Sequence, residues 1–172
     1  MSVFYRARQF WRALTATPAA EDLEQASQVL SPQLMALFLN QTASEQVHSL
    51  TVFFHLCNQG ERSPELLSAA LLHDIGKSRY PLQIWERVAA VIGQALPIRQ
   101  TMFWSQAEPR GWERPFAVAR SHAGWGAEMA EAGGASPLTV ELIRRHHDPL
   151  AAGPAHPADR LLWQLQIFDH QS

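Results

Sequence analysis

The chain has 172 residues, 47% of them hydrophobic, and a formal net charge of −2 from 14 basic and 16 acidic side chains. That length fits one domain able to bury roughly 70% of its unfolded surface. The near-zero charge offers no global attraction to nucleic acid or an anionic membrane, so an anionic ligand must be met by a local patch. A single cysteine, Cys57, excludes an internal disulfide, and with no leader pattern or long apolar span the expectation is a soluble cytoplasmic protein.

The spacing of apolar residues predicts an all-α fold, a single helical bundle with an N-terminal helical extension. In chain order, a helix over 3–15 carries Phe4, Phe10, Trp11 and Leu14 on one side, and helices over 20–30 and 32–40 follow. Residues 1–43 are read as a helical cap packed on a bundle formed by 44–172. A helix over 44–59 bears an apolar stripe of Val47, Leu50, Phe54 and Cys57 with His48 beside it. The next, over 64–75, is apolar nearly all round beyond Glu65, which marks a central helix. A helix over 81–95 precedes residues 97–114, where Pro97, Trp104, Pro109, Gly111 and Trp112 break the pattern; the first reading is a structural excursion with its tryptophans tucked into the core, ahead of a functional loop or lid. Helices over 115–132, 137–147 and 157–170 complete the chain. Thr17-Pro18, Ser31-Pro32, Ser63-Pro64, Ser136-Pro137 and His156-Pro157 each read as a cap residue followed by proline in a first helical turn.

His73-Asp74 closes the most apolar of these helices, and a buried ionisable pair costs several kcal/mol unless it is paired or coordinated. Other donors recur along the chain: His48, His122 among small residues, His146-His147 at the end of a helix, and Asp169 near the end of the last one. Imidazoles and carboxylates together suit one or two divalent transition metals, with Mn, Fe, Zn, Ni and Co all open. Lys77 is the only lysine of the chain, three residues beyond Asp74, where an ammonium can meet a phosphate oxygen as a point charge or answer the end of a helix.

The ordered set His48, His73-Asp74-Ile75-Gly76, His122, His146-His147 and Asp169 resembles the HD-domain superfamily of metal-dependent phosphohydrolases, in its HDIG subgroup, from about Glu45 to Asp169. The resemblance implies that His48, His73, Asp74 and Asp169 hold a first metal and that Asp74 bridges to a second held by His122 and His146. His147 would be a further ligand or an orienting neighbour. It also implies a small phosphorylated substrate, a nucleotide above others, with water activated at the metals attacking phosphorus and Asp74 and Lys77 as catalytic groups. Neither stable nucleic-acid nor membrane binding is expected. Lys77, Arg79, Arg144 and Arg145 are candidates for the phosphate, while Arg99, Arg110 and Arg114 with Trp104 or Trp112 are candidates for the rest of a nucleotide. His55 is expected to pack, and His156 and His170 to face solvent. After His147 the chain reads Asp148-Pro149-Leu150, without the Gly-Tyr-Pro signature of relatives that cleave cyclic dinucleotides. The alternatives are a catalytically silent metal- or nucleotide-binding module and a di-iron oxygenase of the same superfamily.

Overall fold

The computed structural model describes residues 17–83, 85–86, 110–149 and 157–171. The expected helix over 3–15, most of that over 81–95, Arg99, Trp104 and His156 lie outside the described residues. Within them the backbone forms seven α-helices and no strand: α1 (Ala20–Val29), α2 (Pro32–Leu39), α3 (Ala43–Asn58), α4 (Pro64–Leu72), α5 (Arg114–Ala132), α6 (Pro137–Arg145) and α7 (Pro157–Gln171). Short 3-10 turns cover Ile75–Arg79 and Gly111–Glu113, so the expected loop over 97–114 ends in regular structure. Among the described residues no helix is long and apolar enough to cross a membrane.

Helix starts follow from side chains that answer unpaired amides. Ser31 Oγ accepts from Leu34 N–H at 3.3 Å, Ser63 Oγ from Leu66 N–H at 3.3 Å and Ser136 Oγ from Thr139 N–H at 3.2 Å, each with proline in the first turn. Thr42 and Glu45 close a capping box at the head of α3. The start expected at Thr17-Pro18 falls later: α1 begins at Ala20 behind Ala19, which offers no side-chain acceptor, and the carboxylates of Glu21 and Asp22 answer the positive end instead.

The central helix is α4, with every residue from Leu66 to Leu72 buried. Around it Ala26 of α1, Leu30 just past its end, and Leu34 and Phe38 of α2 share one apolar core with Leu50, Phe53 and Leu56 of α3, Leu142 and Ile143 of α6, and Leu162 and Leu165 of α7. Truncating a fully enclosed side chain such as Leu71 to alanine would cost about 2–5 kcal/mol. On α3 the buried face runs through Gln46, Ser49, Leu50, Phe53 and Leu56. Of the stripe read from hydrophobicity, Leu50 alone is buried, because two polar residues occupy inward positions. Gln46 is there to donate its Nε2 to Leu39 O and Gln41 O, both at 3.0 Å. Gln41 in turn donates to Phe38 O at 3.4 Å and to Leu71 O at 3.3 Å, tying together the ends of α2 and α4.

Two boundaries differ from expectation where it matters. α4 ends at Leu72 rather than 75, and α6 ends at Arg145 rather than 147, so His73-Asp74 and His146-His147 both sit just past a helix end. Opposite them, α5 presents a face of small residues, Ala117, Ala123, Gly126, Ala127 and Ala130, against which the Ile75–Arg79 turn and α6 pack closely.

Candidate metal centre

Three of the histidines are locked by the same device. His73 Nδ1 lies 2.9 Å from Ala70 O, His122 Nδ1 3.1 Å from Val118 O, and His146 Nδ1 2.7 Å from Ile143 O. A carbonyl only accepts, so each Nδ1 carries the proton and each Nε2 is left with a lone pair directed away from its own helix. Fixing the ring nitrogen opposite the ligating one in this way is what orients imidazole ligands.

Asp74 reaches His122 of α5 because the chain makes an unusually close crossing two residues later. A Cβ built on Gly76 would stand 2.0 Å from His122 O and 2.6 Å from Gly126 N. Only glycine lets the Ile75–Arg79 turn lie on the backbone of α5 at this point.

The donors gather in two groups. In one, His48 Nε2 is 2.9 Å and His73 Nε2 3.3 Å from the same oxygen, Asp169 Oδ1. In the other, His122 Nε2 is 3.3 Å from His146 Nε2 and 3.1 Å from His147 Nε2. Within each group the three donor atoms lie within 4.8 Å of one another. Asp74 stands between the groups, with Oδ1 3.3 Å from His122 Nε2 and Oδ2 3.6 Å from His73 Nε2. Lys77 Nζ closes on Asp74 Oδ2 at 2.5 Å.

This arrangement is suited to cations. His73 Nε2 is buried and, although close to Asp169, has no partner in hydrogen-bond geometry, a loss of about 1–3 kcal/mol for a group left unsatisfied. Nε2 of His122 and of His146 are both acceptors, and two lone pairs facing each other at 3.3 Å repel unless a positive centre lies between them. Burial and the neighbouring histidines hold His146 well below the usual imidazole range, and burial with the proximity of His122 brings His147 down to about 4, so both rings are in the neutral form that ligates metals at pH 7. Burial opposes ionisation of Asp74, but Lys77, His73 and His122 outweigh it and hold the carboxyl well below its usual value. Asp169 is depressed against its own burial by His48 and His73. For His73, burial favours the neutral ring, while Asp74 and Asp169 override it and raise the pKa. The carboxylates thus call for positive charge at the Nε2 position, which a proton or a metal ion can supply.

The cluster has a floor and a rim. His73, Asp74, His122 and His146 are buried, whereas the side chains of His48 and Lys77 are 26% and 33% exposed and His147 lies at the surface with its ring turned inward.

Every histidine and carboxylate in the expected ligand set is brought together, and His147, left open between ligand and neighbour, comes as close to His122 as any member. Of the four cations expected at phosphate, Lys77 contacts the cluster and Arg79 and Arg145 are engaged elsewhere. Arg79 stacks 5.6 Å from the Trp125 ring centre and pairs with Glu128 at 3.4 Å. Arg145 pairs with Glu141 and Asp159, each at 2.8 Å. Arg144 is exposed and lines a surface depression with Glu131, Pro137 and Glu141. Arg114, expected in a nucleotide-binding loop, is committed to Glu86 and Pro81 O, both at 2.9 Å, while Arg110 is exposed and Trp112 is 59% exposed. His55 packs edge-on against Phe168 as expected, and His170 is exposed with its ring on Gln166 O. Sequence reasoning missed Gln41, Gln46 and Gln166, buried amides that serve carbonyls at helix ends; no spacing rule singles out a glutamine for that duty.

No curated protein and no solved structure matches the chain. The family model described as the HD domain matches residues 46–170, a span that begins two residues before His48 and ends one residue after Asp169. With that match over nearly three quarters of its length, and with the His and Asp donors within it gathered at one centre, the chain belongs to the HD-domain family.

Proposed function

We propose that this HD domain is a metal-dependent phosphohydrolase that cleaves a phosphomonoester or phosphodiester, of a nucleotide by preference, with water as the nucleophile. The observation that carries the reading is Asp74 between two three-donor groups, one carboxylate oxygen toward each. In this proposal His48, His73, Asp74 and Asp169 hold one divalent cation, and Asp74, His122, His146 and His147 hold another. Cations so held would acidify water toward neutrality and offset the charge that develops on phosphoryl oxygens.

The chain's own residues do the rest. The bonds from Nδ1 to Ala70 O, Val118 O and Ile143 O keep the three buried rings in ligating orientation, so none of these three has to turn when the site is filled. Lys77 holds an ammonium at the rim, where it offers a phosphoryl oxygen both charge and N–H donors. The assembled cluster consists of His, Asp and Lys side chains, and among the described residues it includes no hydroxyl or thiol nucleophile, which favours direct attack by water over a covalent intermediate.

The test is hydrolysis of nitrophenyl phosphate and bis-nitrophenyl phosphate, followed by a panel of nucleotides, by protein supplied with Mn or Co. Wild type should turn over and His73→Ala and Asp74→Ala should not. A wild-type protein as inactive as both variants over a broad metal and nucleotide screen would overturn the proposal.

A further inference from the structure

His146 and His147 occupy the two central positions of a tight turn closed by Asp148 N–H on Arg145 O at 2.8 Å. α6 has already ended, so helical hydrogen bonding does not hold His147 in place. What grips the turn is the side chain of Gln166, 8% exposed on α7. Its Nε2 donates to Asp148 O at 2.9 Å and to Arg145 O at 3.4 Å, the carbonyls of the last and first residues of that turn. One amide nitrogen has two N–H groups and can serve both. A second tie, Arg145 to Asp159 at 2.8 Å, runs to the same helix. Gln166 also precedes Asp169 by three residues, so it and the carboxylate are neighbours on one face of α7.

We infer that Gln166 is a positioning residue. It fixes the His146–His147 turn against the helix that carries Asp169, and thereby sets the His122, His146 and His147 donors at their distance from the His48, His73 and Asp169 donors. The inference rests on the metal-centre reading and adds to it a buried amide that touches neither metal nor substrate.

The experiment is a Co(II) titration of the full chain, followed by calorimetry and visible absorption, on wild type, His147→Ala, Gln166→Met, Gln166→Glu and Gln166→Lys. Wild type should bind two equivalents. Gln166→Met keeps the side chain's length without its donors and should weaken one equivalent by about 10- to 100-fold, the usual effect of losing a ligand's supporting hydrogen bond. That equivalent should be the one lost in His147→Ala, with the other unchanged. Gln166→Glu sets an acceptor against two carbonyls and should act in the same direction, which keeps the test decisive if the methionine variant folds poorly. Gln166→Lys restores donors to both carbonyls and should recover much of the binding, a rescue that a merely space-filling role would not give. Two equivalents at wild-type affinity in Gln166→Met and Gln166→Glu would overturn the inference while leaving the metal centre intact. A wild type that binds no Co(II) would overturn the metal-centre reading itself.

Discussion

Replacing Gly76 with alanine tests the crossing that brings Asp74 to α5. The added methyl would stand 2.0 Å from His122 O, about 1.4 Å short of an ordinary contact, and the second obstacle, Gly126 N at 2.6 Å, is also main chain. Neither can rotate away, so the Ile75–Arg79 turn must retreat as a body. Overpacking of this kind costs about 1–3 kcal/mol where side chains can adjust. With backbone on both sides the upper figure applies, about 3 kcal/mol. For a chain of this length each kcal/mol moves Tm by about 2–4 °C, so metal-free Gly76→Ala should melt about 6–12 °C below wild type by circular dichroism. The retreat also widens the 3.3 Å separation of Asp74 from His122, so affinity for Co(II) should fall with it. Gly124 provides the opposite control on α5, since a Cβ there meets nothing within 4 Å. Gly124→Ala should raise Tm by about 1–4 °C through helix propensity alone. A Gly76→Ala protein that melts with wild type and binds metal as well would refute the role given to the crossing.

Metal itself should stabilise the fold, since the donors converge only in the native state. At a concentration one hundred times Kd, each site adds about 2.7 kcal/mol, so Tm should rise by about 5–10 °C per occupied site and fall back on chelation; no rise with any of Mn, Co, Zn, Fe or Ni would contradict the assignment. For the metal-free protein, His147 titrates near 4 when folded against about 6.5 when unfolded. Between those values the unfolded state binds the extra proton, so wild-type stability falls as pH drops through that window. His147→Gln removes this contribution, and its Tm relative to wild type in chelator should climb steadily from pH 6.5 to pH 4; a pH-independent difference would show that the ring is not shielded. Arg114→Met leaves the Glu86 carboxylate, 2% exposed, facing Gln83 N–H without its cation. It should cost about 3 kcal/mol in chemical denaturation, with most of that recovered in Arg114→Met/Glu86→Leu, and a single variant as stable as wild type would mean the pair is dispensable.

Much of this architecture is written in local signals. Ser31, Ser63 and Ser136 announce their helices because a hydroxyl followed by proline has few other uses, and the run Leu66–Leu72, apolar but for Ser68, has nowhere to sit but the centre. The donor cluster is readable because its members recur in a fixed order along the chain, and order survives folding. His147 was harder to place, since carrying helical register through 147 puts it on the Val140/Ile143 stripe. The helix stops at Arg145, and the turn that follows swings the ring toward His122. Arg79 and Arg145 look like phosphate ligands from their nearness in sequence to the motifs, yet Trp125, Glu128 and Asp159 claim them from other helices, and such long-range pairings leave no trace in local spacing. The depth of the Gly76 crossing is likewise invisible until both backbones are in place.

The carbonyls that lock His73 and His146 are Ala70 O and Ile143 O, each one turn back and among those that α4 and α6 cannot satisfy for themselves. Ring tautomer is therefore decided by where a helix stops. One residue added to or removed from the last turn of α4 or α6 would swing an imidazole about 100° around its axis and detach it from its lock, leaving composition almost untouched and the donor cluster broken. In this protein the count of residues per helix decides where the imidazole lone pairs point.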